Sequence, residues 1–361
     1  IGHQATRIMV KRIESSKNRV EIGSILESSF QGLLDNEFSS SKKIVIVDEN
    51  TQEHCWPFLL TTFDTLHDAE VIVLPSGEEN KVMEVSFQVW EAFTNYGVQR
   101  GDLVINLGGG VVTDMGGFIA SVYKRGLRFI NVPTSLLAMI DASVGGKTGI
   151  NLGHHKNQLG VFSFPEITIC DPIFLKTLAQ NQIVSGTAEM LKHAIISSEK
   201  HWNDLKSIDN DNISSELIFN SIQIKAEVVD NDPTEKGLRK VLNLGHTVGH
   251  AIEGLFIEEN LYSHGECVAW GILVESAIST QLGLLQTAGY EEISNVIRNR
   301  FPSITIEPDN FDELIALMKH DKKNNSSKIN FSLPTKIGAV IIDQQIEERI
   351  IREALKLIFY G

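Results

Sequence analysis

Through the first 172 residues, short apolar runs alternate with amphipathic stretches. Lys43–Asp48 (KIVIVD) places four consecutive β-branched residues between two charged ends, the pattern of a strand covered on both faces. Glu70–Leu74, Asp102–Leu107, Arg128–Val132 and Ile167–Asp171 are further short apolar runs read as strands. Between them, Asn80–Tyr96 and Val111–Tyr123 carry helical periodicity. Strands alternating with helices predict an α/β fold with a parallel sheet, here a Rossmann-like nucleotide-binding domain over residues 1–172. Beyond it the period becomes helical. Helices are predicted at Phe174–Leu178, Ser185–Ser198, Glu216–Asp230, Arg239–Phe256, Glu266–Leu284, Tyr290–Arg298, Phe311–His320 and Glu347–Phe359. Ile329–Ser332 and Ala339–Ile342 suggest a small hairpin. Residues 173–361 are therefore read as a mainly α-helical domain.

One predicted helix breaks the usual pattern. Along Arg239–Glu253 (RKVLNLGHTVGHAIE), Arg239, Asn243, His246 and His250 fall at i, i+4, i+7 and i+11 and share a face. Val241, Leu242, Leu244, Val248, Ala251 and Ile252 occupy the others. A polar seam on a helix buried elsewhere needs a ligand, a metal or a partner network, because burying polar groups unpaired is costly. A solvated face with incidental histidines is the plainer account. Against it, Gly245 and Gly249 weaken the helix and point to a close approach of backbone or ligand. A third histidine, His264, follows in the turn Ser263-His-Gly-Glu266. Three histidines within nineteen residues, of eleven in the chain, point to a metal site. Spacing alone pairs His246 with His250 and does not decide which of the three are ligands.

Other motifs carry weaker signals. Strand Asp102–Leu107 runs into Gly108-Gly-Gly-Val-Val-Thr-Asp114 and a helix, a turn whose backbone amides are free to approach a phosphate. It is not the G-x-G-x-x-G fingerprint. Asp48 and Asn50 end an earlier strand and are candidates for ribose hydroxyls. Gly145-Gly-Lys-Thr148 resembles the end of a P-loop but has Asp141 where glycine is required, which excludes the ATPase reading. The stretch Asp141–Asn157, with Lys147, His154, His155, Lys156 and Asn157, suits a loop that binds an anion. Glu189 and Lys192 share a helical face, and Lys225 sits in an otherwise apolar helix where an unpaired charge is costly.

Composition narrows the classes. A net charge of -14 argues against nucleic acid as partner, while leaving room for a local basic pocket. Cys55, Cys170 and Cys267 form no C-x-x-C pair, so a disulfide framework is not expected. Cys267 lies near the histidines as either a ligand or, the favoured account, a small buried filler. No apolar run reaches the roughly eighteen residues of a membrane span, and Ile1–Thr6 carries no signal-peptide core. The chain is read as cytoplasmic. A metal-dependent, NAD-using oxidoreductase or lyase is favoured over a module with structural zinc, for which a compact four-ligand cluster is missing.

Taken together, Pro75–Lys81, Gly108–Asp114, Tyr123–Gly126, Pro133–Gly149, Lys156-Asn157, Gly186–Lys192, Arg239–Glu253, His264–Glu266 and Asp321–Lys323 resemble, in order and over essentially the whole chain, the 3-dehydroquinate synthase family of sugar phosphate cyclases. The resemblance implies a lyase that converts 3-deoxy-D-arabino-heptulosonate 7-phosphate to 3-dehydroquinate and phosphate, with bound NAD and zinc or cobalt. It implies metal ligands Glu189, His246 and His264, with His250 catalytic instead. It places Lys147, Asn157, Asn243, His250 and one of Lys322 or Lys323 at the phosphate. Asp141, Lys192, Lys225, Glu235 and Arg239 fall at the substrate's hydroxyls and carboxylate. Of these, Lys147, Lys192, Lys225, Glu235, Arg239, Asn243 and His250 form the catalytic set. Asp48, Asn50, Glu78, Lys81, Gly109, Gly110, Val111, Asp114, Thr134, Ser135, Leu137, Asp141, Lys156, Thr177 and Leu178 fall on the cofactor side. Arg125 matches an arginine that reaches a neighbouring site in a homodimer. After Leu178 the chain reads Ala-Gln-Asn-Gln, where the family often has proline and a charged pair. Cyclases making 2-deoxy-scyllo-inosose or valiolone-type rings, and metal-dependent alcohol dehydrogenases of the glycerol dehydrogenase type, are the rival readings.

Overall fold

The apolar runs form strands, buried along their length except at the sheet edge, where Glu70–Leu74 is only partly covered. In the computed structural model, which describes residues 10–15, 17–153, 155–256, 261–320 and 328–360, these are β3 (Lys43–Asp48), β4 (Glu70–Leu74), β5 (Leu103–Gly108), β6 (Arg128–Pro133) and β9 (Ile167–Cys170). Two short polar strands, β1 (Lys11–Glu14) and β2 (Arg19–Ile22), join them. The seven-stranded sheet runs β1-β2-β9-β6-β5-β3-β4, parallel throughout except for the antiparallel β1–β2 pair. From β3 the chain passes to β4 on one side and to β5 on the other. The carboxyl ends of β3 and β5 therefore flank a switch in strand order, the place where open α/β sheets take ligands. Ile44, Ile46 and Val104 pack on Val89 and Phe93 from helix Met83–Asn95 and on Met115 and Ile119 from helix Gly110–Val122. Each such side chain contributes about 1.5–3 kcal/mol on burial.

The stretch expected as an anion-binding loop is mostly an antiparallel ribbon, β7 (Lys147–Leu152) with β8 (His155–Phe162). Its glycines and charged residues masked the alternation. His154 lies outside the described residues.

Tertiary contacts divide the chain into two units, Ile1–Leu178 with Ser214–Ala226, and Ala179–Ile213 with Glu227–Gly361. A boundary read along the sequence has no way to see that residues 214–226, the start of helix Ser215–Asn231, return to the first unit. In the second unit the helix His264–Gln281 is buried on nearly every side. Around it pack Gln180–Ser197, His246–Leu255, Thr287–Arg300, Glu348–Tyr360 and strand β10 (Lys328–Lys336), which pairs with β11 (Ala339–Glu347). Among the described residues, no helix is long and apolar enough to cross a membrane.

The continuous helix expected over Arg239–Phe256 is corrected. Leu238–Asn243 is a 3-10 helix, Gly245 turns left-handed at φ 80°, and the α-helix starts at His246. The cause is contact with the helix His264–Gln281. A Cβ on Gly245 would stand 2.6 Å from Ile272 Cγ1 and 2.8 Å from the Val268 carbonyl, and one on Gly271 only 2.0 Å from the Gly245 carbonyl. The Gly245 N–H donates instead to the buried Glu275 carboxylate at 2.6 Å. The close approach that the glycines suggested is thus made by backbone.

Candidate functional site

In the second unit three segments converge. His246 opens one helix, Glu189 sits in the middle of Gln180–Ser197, and His264 opens the central helix. Ser263 caps that helix, accepting the Glu266 N–H, while the Glu266 carboxylate accepts the Ser263 N–H at 2.7 Å. The expected Ser-His-Gly-Glu turn is therefore a helix start of capping-box type, a spacing legible in the sequence. Gly265 N–H donates to Ser185 Oγ at 3.1 Å, one turn before Glu189.

These contacts set the distances. Glu189 Oε1 lies 3.7 Å from His246 Nε2 and 3.9 Å from His264 Nε2. That is about the spacing of donors sharing one small tetrahedral cation. Glu189 is fully buried. It forms an ion pair with Lys192, yet neither carboxylate oxygen accepts a hydrogen bond of ordinary geometry among the described residues. Both imidazoles are oriented from behind. His246 Nδ1 meets the Leu244 carbonyl at 3.2 Å and His264 Nδ1 the Glu253 carboxylate at 3.2 Å, leaving both Nε2 atoms toward Glu189. Burial holds the His246 pKa well below its ordinary value, reinforced first by the nearby Lys192 ammonium. A neutral ring with a free lone pair is the ligand form of histidine. His250 is exposed, its ring 5.0 Å from that of His246, and nitrogens of all three histidines come within 4.8 Å of one another.

Beside the histidines, Asn243 Nδ2 donates to Glu235 Oε1 at 3.0 Å and the Arg239 guanidinium to the Pro233 carbonyl at 2.9 Å. A cavity of about 310 Å³ is lined by Glu235, Lys240 and Asn243 and by Asn330, Asp343 and Gln345 of the hairpin. Lys322 and Lys323 lie outside the described residues.

In the first unit, β5 ends at Gly108 beside Pro133 of β6, and the helix Gly110–Val122 begins with Gly109 as its cap. Gly109, Gly110, Val111 and Asp114 thus share one strand edge with Thr134, Ser135 and Leu137. A Cβ on Gly109 would sit 3.4 Å from Ser135 Oγ, in ordinary contact, so the glycine leaves extra room at this turn. Lys81, buried, donates to Asp114 at 2.7 Å and to Asn157 at 2.6 Å. Burial opposes its charge, but Asp114 and Glu78 hold its pKa above the ordinary value. Asn151 donates to Glu78 at 3.0 Å. Asp48 spends its carboxylate capping the next helix through the Thr51 N–H, and Asn50 donates to Ser76 at 3.0 Å. Lys225, the charge in an apolar helix, meets the Asp141 carboxylate and carbonyl at 2.5 Å each. Lys147 and Lys156 are exposed on the ribbon, Thr177 and Leu178 end the unit's first segment, and Arg125 is exposed in a left-handed turn at φ 67°. Asn151, Glu253, Glu275 and Asp232 escaped the sequence reading. Only Glu253 had a signal there, three residues beyond His250 on the same helical face.

The chain matches known proteins over this whole arrangement. Residues 71–185 match the family 3-dehydroquinate synthase N-terminal and residues 186–324 the family 3-dehydroquinate synthase C-terminal. A 3-dehydroquinate synthase of Parabacteroides distasonis is 39% identical over 345 residues, spanning 94% of this chain and 97% of its own. One of Campylobacter concisus is 40% identical over 290 residues, spanning 79% and 83%. Among solved structures, 2-epi-5-epi-valiolone synthase of Streptomyces hygroscopicus, with NAD+ and Zn2+ bound, superposes with a TM-score of 0.84 at 26% identity, over 97% of this chain and 99% of that one. A 2-deoxy-scyllo-inosose synthase holding carbaglucose-6-phosphate, NAD+ and Co2+ gives 0.83 at 22% identity, over 98% and 100%, a likeness of fold.

Proposed function

The chain belongs to the 3-dehydroquinate synthase family, and from that premise we propose how its residues serve the conversion of 3-deoxy-D-arabino-heptulosonate 7-phosphate to 3-dehydroquinate and phosphate. It is a lyase-type cyclase acting on a sugar phosphate, dependent on NAD and a divalent metal and belonging to the shikimate pathway. The carrying observation is the buried Glu189 carboxylate facing two oriented imidazole nitrogens.

One carboxylate and two imidazoles suit zinc or cobalt and leave coordination positions for substrate. The glycine turn after β5 suits the pyrophosphate of NAD at a helix start. When bound, a divalent metal would supply Lewis acidity at a substrate hydroxyl and NAD would supply a reversible hydride acceptor, with no net NADH expected.

The chain's own groups orient and move protons. Lys192 balances the Glu189 charge and, with Arg239 and the Lys225–Asp141 pair, binds the substrate's hydroxyls and carboxylate. Glu235 and Asn243 form a joined hydrogen-bonding pair on that side. Lys147, Asn157, Asn243 and one of Lys322 or Lys323 receive the phosphate. His250, exposed beside the metal ligands, handles the proton at the departing phosphate oxygen. Asp48, Asn50, Glu78, Lys81, Asp114, Lys156, Thr177 and Leu178 surround the dinucleotide with the residues of the glycine turn and of Thr134–Leu137. Arg125 serves a neighbouring copy in a homodimer.

The deciding measurement is phosphate release from 3-deoxy-D-arabino-heptulosonate 7-phosphate with catalytic NAD and zinc or cobalt, with absorbance followed for NADH. Phosphate without lasting NADH, lost on chelation, is expected. Net NADH from a simple polyol without phosphate release would move the chain to the dehydrogenases. Phosphate released only from glucose 6-phosphate or sedoheptulose 7-phosphate would keep the chemistry and change the substrate.

A further inference from the structure

Asp232 has no place among the groups that touch substrate, yet it organises the segment carrying two of them. Its Oδ1 accepts the Lys236 N–H at 3.0 Å, and its Oδ2 accepts those of Gly237 at 2.7 Å and Arg239 at 3.1 Å. Its own carbonyl accepts the Glu235 N–H at 3.4 Å. Chain 232–239 therefore wraps around one carboxylate. Glu235 sits at the apex with φ 59°, a backbone conformation that a non-glycine residue holds only when its surroundings impose it. Arg239 closes the wrap onto Pro233, and Asn243 ties its far side to Glu235. A further anchor lies just beyond, where the Lys240 carbonyl accepts from Ser332 Oγ at 2.8 Å and the Lys240 ammonium meets both Asp343 oxygens at 2.9 Å.

We propose that Asp232 is a positioning residue for the cyclase reaction: its carboxylate gathers three backbone N–H groups and so sets where Glu235 and Arg239 stand. This rests on reading Glu235 and Arg239 as substrate-side groups. The chemistry requires an ionised carboxylate, because three donors converge on two oxygens and an amide side chain offers only one acceptor atom. Consistently, the N–H groups of Lys236 and Gly237 first, then that of Arg239 and its charge, hold the Asp232 pKa below the ordinary range.

The test is a double-mutant cycle on phosphate release by the metal- and NAD-loaded enzyme. Asp232→Asn is expected to retain bound metal and to lower kcat/KM roughly 10²-fold, since misplacement of a positioned group by an ångström costs about that much. In a Glu235→Gln background the same change is expected to cost roughly 10-fold or less, because one of the two positions it governs is already disabled while that of Arg239 is still held. Equal losses in both backgrounds, or an unchanged kcat/KM, would overturn the proposal. If Asp232→Asn does not fold, amide hydrogen exchange on the unsubstituted protein decides. The amides of Lys236, Gly237 and Arg239 are expected to exchange slowly, and exchange at open-chain rates would overturn the clamp. An unsubstituted enzyme that releases no phosphate from the heptulosonate would sink the functional reading, and the same exchange measurement would still judge the clamp.

Discussion

His246 and His250 stand one helical turn apart in different surroundings. His246 faces Glu189 and is held by the Leu244 carbonyl, whereas His250 is open to solvent. His246→Ala is expected to abolish stoichiometric zinc binding. His250→Ala is expected to keep the metal and lose roughly 10²–10³-fold in kcat. Equal metal loss in both, read by elemental analysis of dialysed protein, would refute the ligand assignment. A residue outside the site sets a stability limit. His201 is 2% exposed, and burial lowers its pKa from 6.5 to about 4. Between those values the unfolded chain takes up a proton that the folded chain refuses. Stability is therefore independent of this group above pH 6.5 and falls as pH drops toward 4, by about 3 kcal/mol in all. In His201→Gln the slope of melting temperature against pH over that window is expected to flatten. The spacing of the histidines was legible in the sequence, but spacing did not tell which of His246 and His250 faces Glu189, because both lie on one helical face; in the sequence only the family resemblance separated them.

At the scale of elements, glycines bring helix backbones into contact and so place the donors. Gly265 is the tightest case at the site, since a Cβ there would stand 2.0 Å from the Ser185 carbonyl. Backbone cannot yield as a flexible side chain does. Gly265→Ala is therefore expected to force His264 away from Glu189, to weaken metal binding at least about tenfold and to cost about 1–3 kcal/mol of stability. Calorimetry with and without zinc checks it, and an unchanged zinc affinity would argue against the helix contact as the positioning device. The broken helix before His246 belongs at this scale too. Hydrophobic period alone ran through Leu244–Gly245, because a helix break imposed by a neighbouring helix leaves no mark on local periodicity.

Across the whole molecule, each unit supplies different chemistry. The first holds the glycine turn, the Lys81–Asp114–Asn157 group and the Lys225–Asp141 pair, and the second holds the Glu/His cluster and the Asp232 turn. The three free cysteines are all buried. Burial pushes the Cys55 thiol up to about 12 and raises that of Cys170 further still. A thiol reagent is expected to leave the native protein essentially unreacted at neutral pH and to titrate three thiols after denaturation. Rapid reaction of the native protein would mean that its core opens easily.

The α/β class, five strands of the main sheet, most of the helices and the motifs that mark the family were legible in the order of residues alone. These follow from local period and residue chemistry, which neighbours in the chain share. The partner of Lys225, the return of residues 214–226 to the first unit, the pairing of β7 with β8 and the clamp at Asp232 became visible only in the folded chain. Each depends on a contact across the fold or on backbone amides turned inward, and neither leaves a periodic trace in the order of side chains.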